Sequence, residues 1–209
     1  METLAGTIVG SKHDLSISNE HGPEMSASKE ICVFCHTPHA ASDAVKAPIW
    51  NRKITDTTVF QLYGEGTPIG SVPNAVSLAC LSCHDGVSSE GVASAVSALD
   101  THTLINYPNG DSGSPNCNAC HPDGGVYPSS TWQIGPILTD DHPISISYTT
   151  ALANDPTGFE PSPLNGVKLF GVDNEVECAT CHDVHNPENG TFLRVNNAGS
   201  ELCLSCHKR

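Results

Sequence analysis

The sequence predicts a largely irregular chain, with short helices at recurring cysteine motifs and a few short strands. Aromatic residues form only 5% of the 209 residues, so the chain is poor in the large side chains that build an ordinary core. Its 18 glycines and 15 prolines favour turns over regular elements. A Cys-x-x-Cys-His motif occurs five times, at 32–36, 80–84, 117–121, 178–182 and 203–207. These motifs, rather than an apolar core, are expected to organise the fold.

The five motifs contain all ten cysteines of the chain. Their spacing is the attachment signature of haem c, in which both thiols bond to the porphyrin and the histidine ligates the iron. The predicted haem-binding residues are Cys32, Cys35, His36, Cys80, Cys83, His84, Cys117, Cys120, His121, Cys178, Cys181, His182, Cys203, Cys206 and His207. We therefore expect five covalently bound haem c groups, each with one iron.

Three other roles for paired cysteines explain the motifs less well. A zinc site takes four Cys or His ligands and does not require a histidine after every second cysteine. A disulfide framework explains the even cysteine count but not the five histidines. A thioredoxin-like pair needs one motif beside a βαβ unit, not five dispersed through loops. The pattern therefore favours covalent haem.

Six histidines lie outside the motifs, and five irons need a ligand on their second face. Methionine, the other common sixth ligand, occurs only as Met1 and Met25. We predict that every iron has two histidine ligands, with the second set drawn from His13, His39, His102, His142 and His185. One of the six is spare, either His21 or His102. Six-coordinate iron has no open position for a substrate, which favours electron transfer over an enzyme.

Two of these histidines lie so close to a motif histidine that they cannot ligate the same iron. His39 lies three residues beyond His36, and His185 lies three beyond His182. A residue so close to the first ligand cannot reach the opposite face of the same iron. We therefore expect His39 and His185 to ligate neighbouring haems.

Two other candidate ligands follow or precede a carboxylate. His13 is followed by Asp14, and His142 is preceded by Asp141. A carboxylate beside a ligating imidazole holds its second nitrogen and fixes the tautomer. We expect Asp14 and Asp141 to do so.

The remaining segments predict local structure. Capping-type residues, Ser28 and Ser200, precede the first and last motifs and predict short helices there. Residues 144–148 alternate in polarity like a strand, and 154–158 have the composition of a turn. The motifs are unevenly spaced, so a solenoid is excluded. We expect a single domain over residues 1–209, wrapped around a row of haems.

The charge and the chain ends indicate an exported protein. The net charge of −14 opposes nucleic-acid binding, which needs basic patches. No apolar run is long enough to span a bilayer. Residues 1–4 lack the basic start of a signal peptide, and haem c is attached outside the cytoplasmic membrane. We expect a mature chain at the cell surface or outside the cell, with the periplasm as the alternative.

Four strings resemble one family. They are residues 32–39, 80–86, 178–186 and 202–208, with Cys32-Val33-Phe34-Cys35-His36-Thr37-Pro38-His39 as the first. They resemble the multihaem c-type cytochromes that polymerise into extracellular nanowires of metal-reducing bacteria and archaea. The resemblance implies that His39 ligates a haem of the adjacent subunit. It also implies that the homopolymer conducts electrons from donor cytochromes to extracellular acceptors.

Two alternative functions are compatible with the same cofactors. A monomeric periplasmic five-haem shuttle would share the haems without polymerising. A haem reductase is less consistent with the sequence, since it requires a five-coordinate iron and the histidine count supplies two ligands for every iron.

Overall fold

The computed structural model describes residues 7–16, 29–36, 38, 41, 45–51, 56–61, 63, 72–74, 76–85 and 134–208. The predicted site residues outside these ranges are Cys117, Cys120, His121, His39 and His102, together with the spare candidate His21. What the sequence predicts for them therefore stays a prediction.

Regular structure in the described residues is sparse, as predicted. The α-helices are α1 (Ser77–His84), α2 (Tyr148–Asn154), α3 (Cys178–Cys181) and α4 (Glu201–Leu204). Three 3₁₀ helices span Ile31–Phe34, Thr57–Val59 and Ala198–Ser200, and the strands are β1 (Ile146–Ser147) and β2 (Glu175–Val176). Each of the four described motifs begins in a helical turn, with Cys32 in the first 3₁₀ helix and the others in α1, α3 and α4. The mostly irregular fold with short helices at the motifs is confirmed for these residues.

The two strands form the small sheet of the described region. They pair antiparallel, with Ile146 opposite Val176 and Ser147 opposite Glu175. The strand predicted over 144–148 is confirmed only at its centre. Ser145 has a φ of +55°, which interrupts the extended backbone, and the Ser147 hydroxyl accepts the Thr150 N–H at 3.1 Å to begin α2.

The predicted cap before the last motif is wrong. Ser200 has a φ of +68° and its side chain caps no N–H, because a 3₁₀ turn leads into α4 instead. A reciprocal capping box occurs at α3, where the Glu177 N–H donates to the Thr180 hydroxyl at 2.8 Å. The predicted turn at 154–158 is present, with the Asp155 carboxylate accepting the Gly158 N–H at 2.9 Å.

Among the described residues, buried apolar side chains form two small clusters. The first consists of Val45, Phe60, Leu78, Leu81 and Leu138, and the second of Ile146, Tyr148 and Val176. Leu78 and Leu81 belong to the helix that carries the second motif, and Cys206 of the fifth motif packs against the second cluster. The motif segments are therefore part of the core. None of the helices in the described ranges has the length and apolar character needed to cross a bilayer.

A buried carboxylate connects α1 to α3. Glu177 is 1% exposed and accepts hydrogen bonds from the hydroxyls of Ser77 and, at 3.1 Å, Ser145. The Ser77 hydroxyl oxygen also accepts the Cys178 N–H at 3.0 Å. Burial raises the pKa of Glu177, which shows that its charge is costly there despite these donors. The second and fourth motifs are thus joined by a polar cluster.

Replacing Ser77 by Ala should destabilise the folded chain. The change removes a donor from the buried carboxylate of Glu177 and an acceptor from the Cys178 N–H, so a loss of about 1–3 kcal/mol in the free energy of unfolding is expected. Denaturant unfolding followed by circular dichroism measures the loss. Ser162→Ala, at an exposed position, is the matched control and should change the free energy little. Equal stability of the two variants would contradict the structural role of Ser77.

Candidate haem-binding sites

The same type of backbone hydrogen bond occurs in three of the described motifs. The N–H of the motif histidine donates to the carbonyl oxygen of the first cysteine, from His36 to Cys32 at 2.8 Å, from His182 to Cys178 at 3.0 Å and from His207 to Cys203 at 2.9 Å. In the second motif, α1 continues through His84. Each described motif is therefore closed into a helical turn, which carries two thiols and an imidazole on one short segment.

The imidazoles of two motif histidines are held by backbone carbonyls. His36 Nδ1 lies 2.7 Å from the Pro48 carbonyl oxygen, and His182 Nδ1 lies 3.0 Å from that of Thr191. When Nδ1–H donates to a carbonyl, Nε2 is left with a free lone pair for a metal. Both histidines thus have the tautomer and the second contact of a metal ligand.

The segment after the fourth motif folds back along it. The Arg194 N–H donates to the Cys181 carbonyl oxygen at 2.8 Å, and its Nε donates to the Ala179 carbonyl oxygen at 2.7 Å. Its guanidinium also donates to Asp183 at 2.9 Å. The His185 N–H donates to the same Asp183 carboxylate at 3.2 Å. Arg194 and Asp183 therefore fix the position of the loop that carries His185.

The candidate second ligands lie beside motif histidines. The ring centres are separated by 6.0 Å in His13–His84, by 6.4 Å in His36–His185 and by 6.4 Å in His142–His207. A ligating nitrogen lies about 2 Å from a metal and about 1 Å from its ring centre, so two imidazoles on opposite faces of one iron have centres about 6 Å apart. The ring separations of these three pairs therefore match that of two imidazoles on opposite faces of one iron.

The donor sets also differ from those of zinc sites. Within the described residues, no three His, Cys, Asp or Glu side chains converge as a metal cluster, and none of the eight described cysteines forms a disulfide. A structural zinc takes four such ligands, whereas haem iron takes two from the protein. Imidazoles that lie in pairs match the second case.

Among the described candidates for the second ligand, His13 is partly buried, whereas His142 and His185 are exposed. Burial, together with the nearby imidazole of His84, lowers the pKa of His13 to about 4. The ring is therefore neutral at pH 7, which is the form that binds a metal. The Phe192 ring packs against it at 4.5 Å between centres.

The expected role of the adjacent carboxylates is wrong. Asp14 uses its carboxylate to accept the Gly10 N–H at 2.8 Å and the Ser16 hydroxyl at 2.6 Å, because it closes its own turn. Among the described residues, His13 Nδ1 has no hydrogen-bond partner. His142 Nδ1 lies 2.9 Å from the Pro143 carbonyl oxygen rather than on Asp141.

Attachment cysteines of different motifs adjoin one another. The Cys80 thiol donates to Cys178, and this contact together with burial raises the pKa of Cys80. Burial, reinforced by the nearby Cys206, raises the pKa of Cys181 to about 11. The fourth motif therefore lies between the second and the fifth.

Sequence reasoning missed the groups that orient these ligands. The carbonyl oxygens of Pro48 and Thr191 have no signature, since every residue carries one. Arg194 gave a weak signal, as one of only nine basic residues in the chain.

Comparison with known proteins agrees with the geometry. Residues 171–209, which include the fourth and fifth motifs, match the protein-family model described as the doubled CXXCH motif. No curated protein matches the chain at a significant level. The doubled motif indicates a multihaem c-type cytochrome with covalently bound haem c that acts in electron transfer.

Proposed function

We propose that the chain is a five-haem electron carrier in which each iron has histidine on both faces. The haems supply one-electron chemistry, and the protein supplies attachment, axial ligands and burial. The observation that carries this proposal is the separation of 6.0–6.4 Å between the rings of three histidine pairs. Because histidine fills both faces, substrates are excluded from the iron and the protein is not an enzyme.

The low number of methionines bears on the reduction potentials. Two histidine ligands lack the raising effect of methionine, so the potentials are low.

The net charge of −14 favours basic docking partners and solubility outside the cell. Donor cytochromes and extracellular acceptors are the proposed partners, and the cell surface or the extracellular space is the proposed location.

We further propose that the chain polymerises, with His39 ligating a haem of the next subunit. His185 occupies the same place after the fourth motif as His39 does after the first. His185 lies 6.4 Å from His36 between ring centres, beside the histidine of a motif other than its own. A histidine in this relative position thus turns away from its own iron, which supports an iron of another motif as the partner of His39.

The irons that have no second histidine from their own subunit limit where His39 can bind in the next subunit. His185, His13 and His142 lie beside the first, second and fifth motif histidines, respectively. The irons left for His39 are those of His121 and His182. A filament would therefore be joined from the first motif of one subunit to the third or fourth motif of the next.

Replacing His39 by Ala tests the filament. The variant should keep five attached haems per chain, give short filaments or none, and contain one high-spin iron per subunit. Negative-stain imaging and the optical spectrum measure these outcomes. His21→Ala is the control if His21 is the spare histidine, and it should polymerise normally. Filaments of normal length with all iron low-spin in His39→Ala would contradict the proposal and favour the periplasmic shuttle.

A further inference from the structure

We infer that the second ligands cross between distant motifs, with His185 on the iron of the first motif, His13 on that of the second and His142 on that of the fifth. This inference rests on the proposed electron-transfer function and adds the pairing of ligands to it. The first pair joins segments at opposite ends of the chain, since His36 belongs to the N-terminal motif and His185 follows the fourth.

Two of the second ligands are held in place by their own local structure. The His185 loop is fixed by the Asp183 carboxylate, which Arg194 holds at 2.9 Å. His142 is held through its carbonyl oxygen, which accepts the Tyr63 hydroxyl at 3.2 Å. These positions do not depend on the motif histidines that the ligands face, so the ring pairs are products of the fold.

The motif histidines of these pairs are oriented independently as well. His36 is bound to the Pro48 carbonyl oxygen at 2.7 Å, and the Phe159 ring packs on His207 at 4.7 Å between centres. In the folded chain, both members of a pair are thus held by contacts with the polypeptide that are separate from the iron. Such preorganisation is what a ligand pair requires.

The ring planes separate the pairs into two classes. The planes of His36 and His185 are nearly parallel, at 16°. Those of His13 and His84 cross at 82°, and those of His142 and His207 at 69°. Parallel imidazoles split the two iron d orbitals that lie perpendicular to the haem plane, whereas crossed imidazoles leave them nearly equal in energy. Low-spin ferric iron then gives a rhombic resonance in the first class and a single large-g resonance in the second.

Low-temperature electron paramagnetic resonance of the oxidised holoprotein tests the pairing. His185→Ala should remove one iron from the rhombic signal, add one high-spin iron and leave the large-g signal unchanged. His142→Ala is the matched exposed variant and should remove one iron from the large-g signal instead. If His185→Ala depletes the large-g signal, or converts no iron, the assignment is overturned.

A variant that lacks the first haem shows which iron His185 ligates. In a Cys32→Ala, Cys35→Ala chain, which lacks the first haem, His185→Ala should produce no further high-spin iron. A high-spin iron appearing there would overturn the pairing of His185 with the first motif. His185→Met retains a ligand in case the alanine variant fails to fold, and it should raise the potential of one haem only when the first motif is intact. High-spin iron in the wild-type protein would instead contradict the proposed function, so the two failures are distinguishable.

Discussion

A chain in which all ten cysteines are replaced by Ala is expected to be unfolded. The described apolar core consists of one cluster of five buried residues and one of three, namely Val45, Phe60, Leu78, Leu81 and Leu138, and Ile146, Tyr148 and Val176. With aromatic residues at only 5%, the chain of 209 residues is also poor in the large apolar side chains whose burial offsets conformational entropy. Haem attachment and folding are therefore coupled, as metal binding and folding are in small metal-dependent domains.

Circular dichroism and thermal unfolding measure this outcome. The variant should give a coil spectrum and no cooperative transition, whereas the holoprotein should unfold cooperatively. Replacement of the exposed Ser162 by Ala in the holoprotein is the control for the effect of substitution itself. A cooperative transition in the cysteine-free chain would show that the polypeptide builds its own core, and would contradict the account.

Removal of the fourth haem should cost more stability than removal of the third. Cys178 adjoins Cys80 and donates its N–H to Ser77 at 3.0 Å, and α3 contacts α1. A Cys178→Ala, Cys181→Ala chain should therefore lose at least about 3 kcal/mol of unfolding free energy, which marks loss of a core element. The cause is the cavity left between the second and fifth motifs.

The matched change is Cys117→Ala with Cys120→Ala. The third motif lies among turn residues in the sequence, so its loss should be local and leave the other four haems attached. Both variants should interrupt conduction along the chain. Denaturant unfolding and intact-mass measurement compare the two variants. The prediction would be contradicted if the third-motif variant were as unstable as the fourth-motif variant, or if it still carried five haems.

The motifs and the scarcity of regular structure were predictable because they depend on local chemistry. The Cys-x-x-Cys-His spacing favours a helical turn, and the four described motifs all begin in such turns. The strand at 146–147 was also predictable from alternation, but its limits were not. The left-handed φ of Ser145 depends on tertiary contacts, including its hydrogen bond to the buried Glu177.

The pairing of histidines was not predictable, because it depends on segments far apart in sequence. His185 was expected to serve another haem, but nothing near it in the chain points to His36 as its neighbour. The predicted contact between Asp14 and the His13 imidazole is wrong for a related reason. An aspartate can bind the nearest N–H groups of its own turn, and Asp14 does so with Gly10 and Ser16 rather than with the adjacent imidazole.

The number of haems bound is the most direct test of the central claim. Denaturing mass spectrometry of the native protein, followed by peptide mapping, counts covalent haems and assigns each to its pair of cysteines. The account predicts five haems per chain with no free thiol among the ten cysteines. A chain carrying fewer haems, or one with any motif cysteine unmodified or in a disulfide, would contradict it.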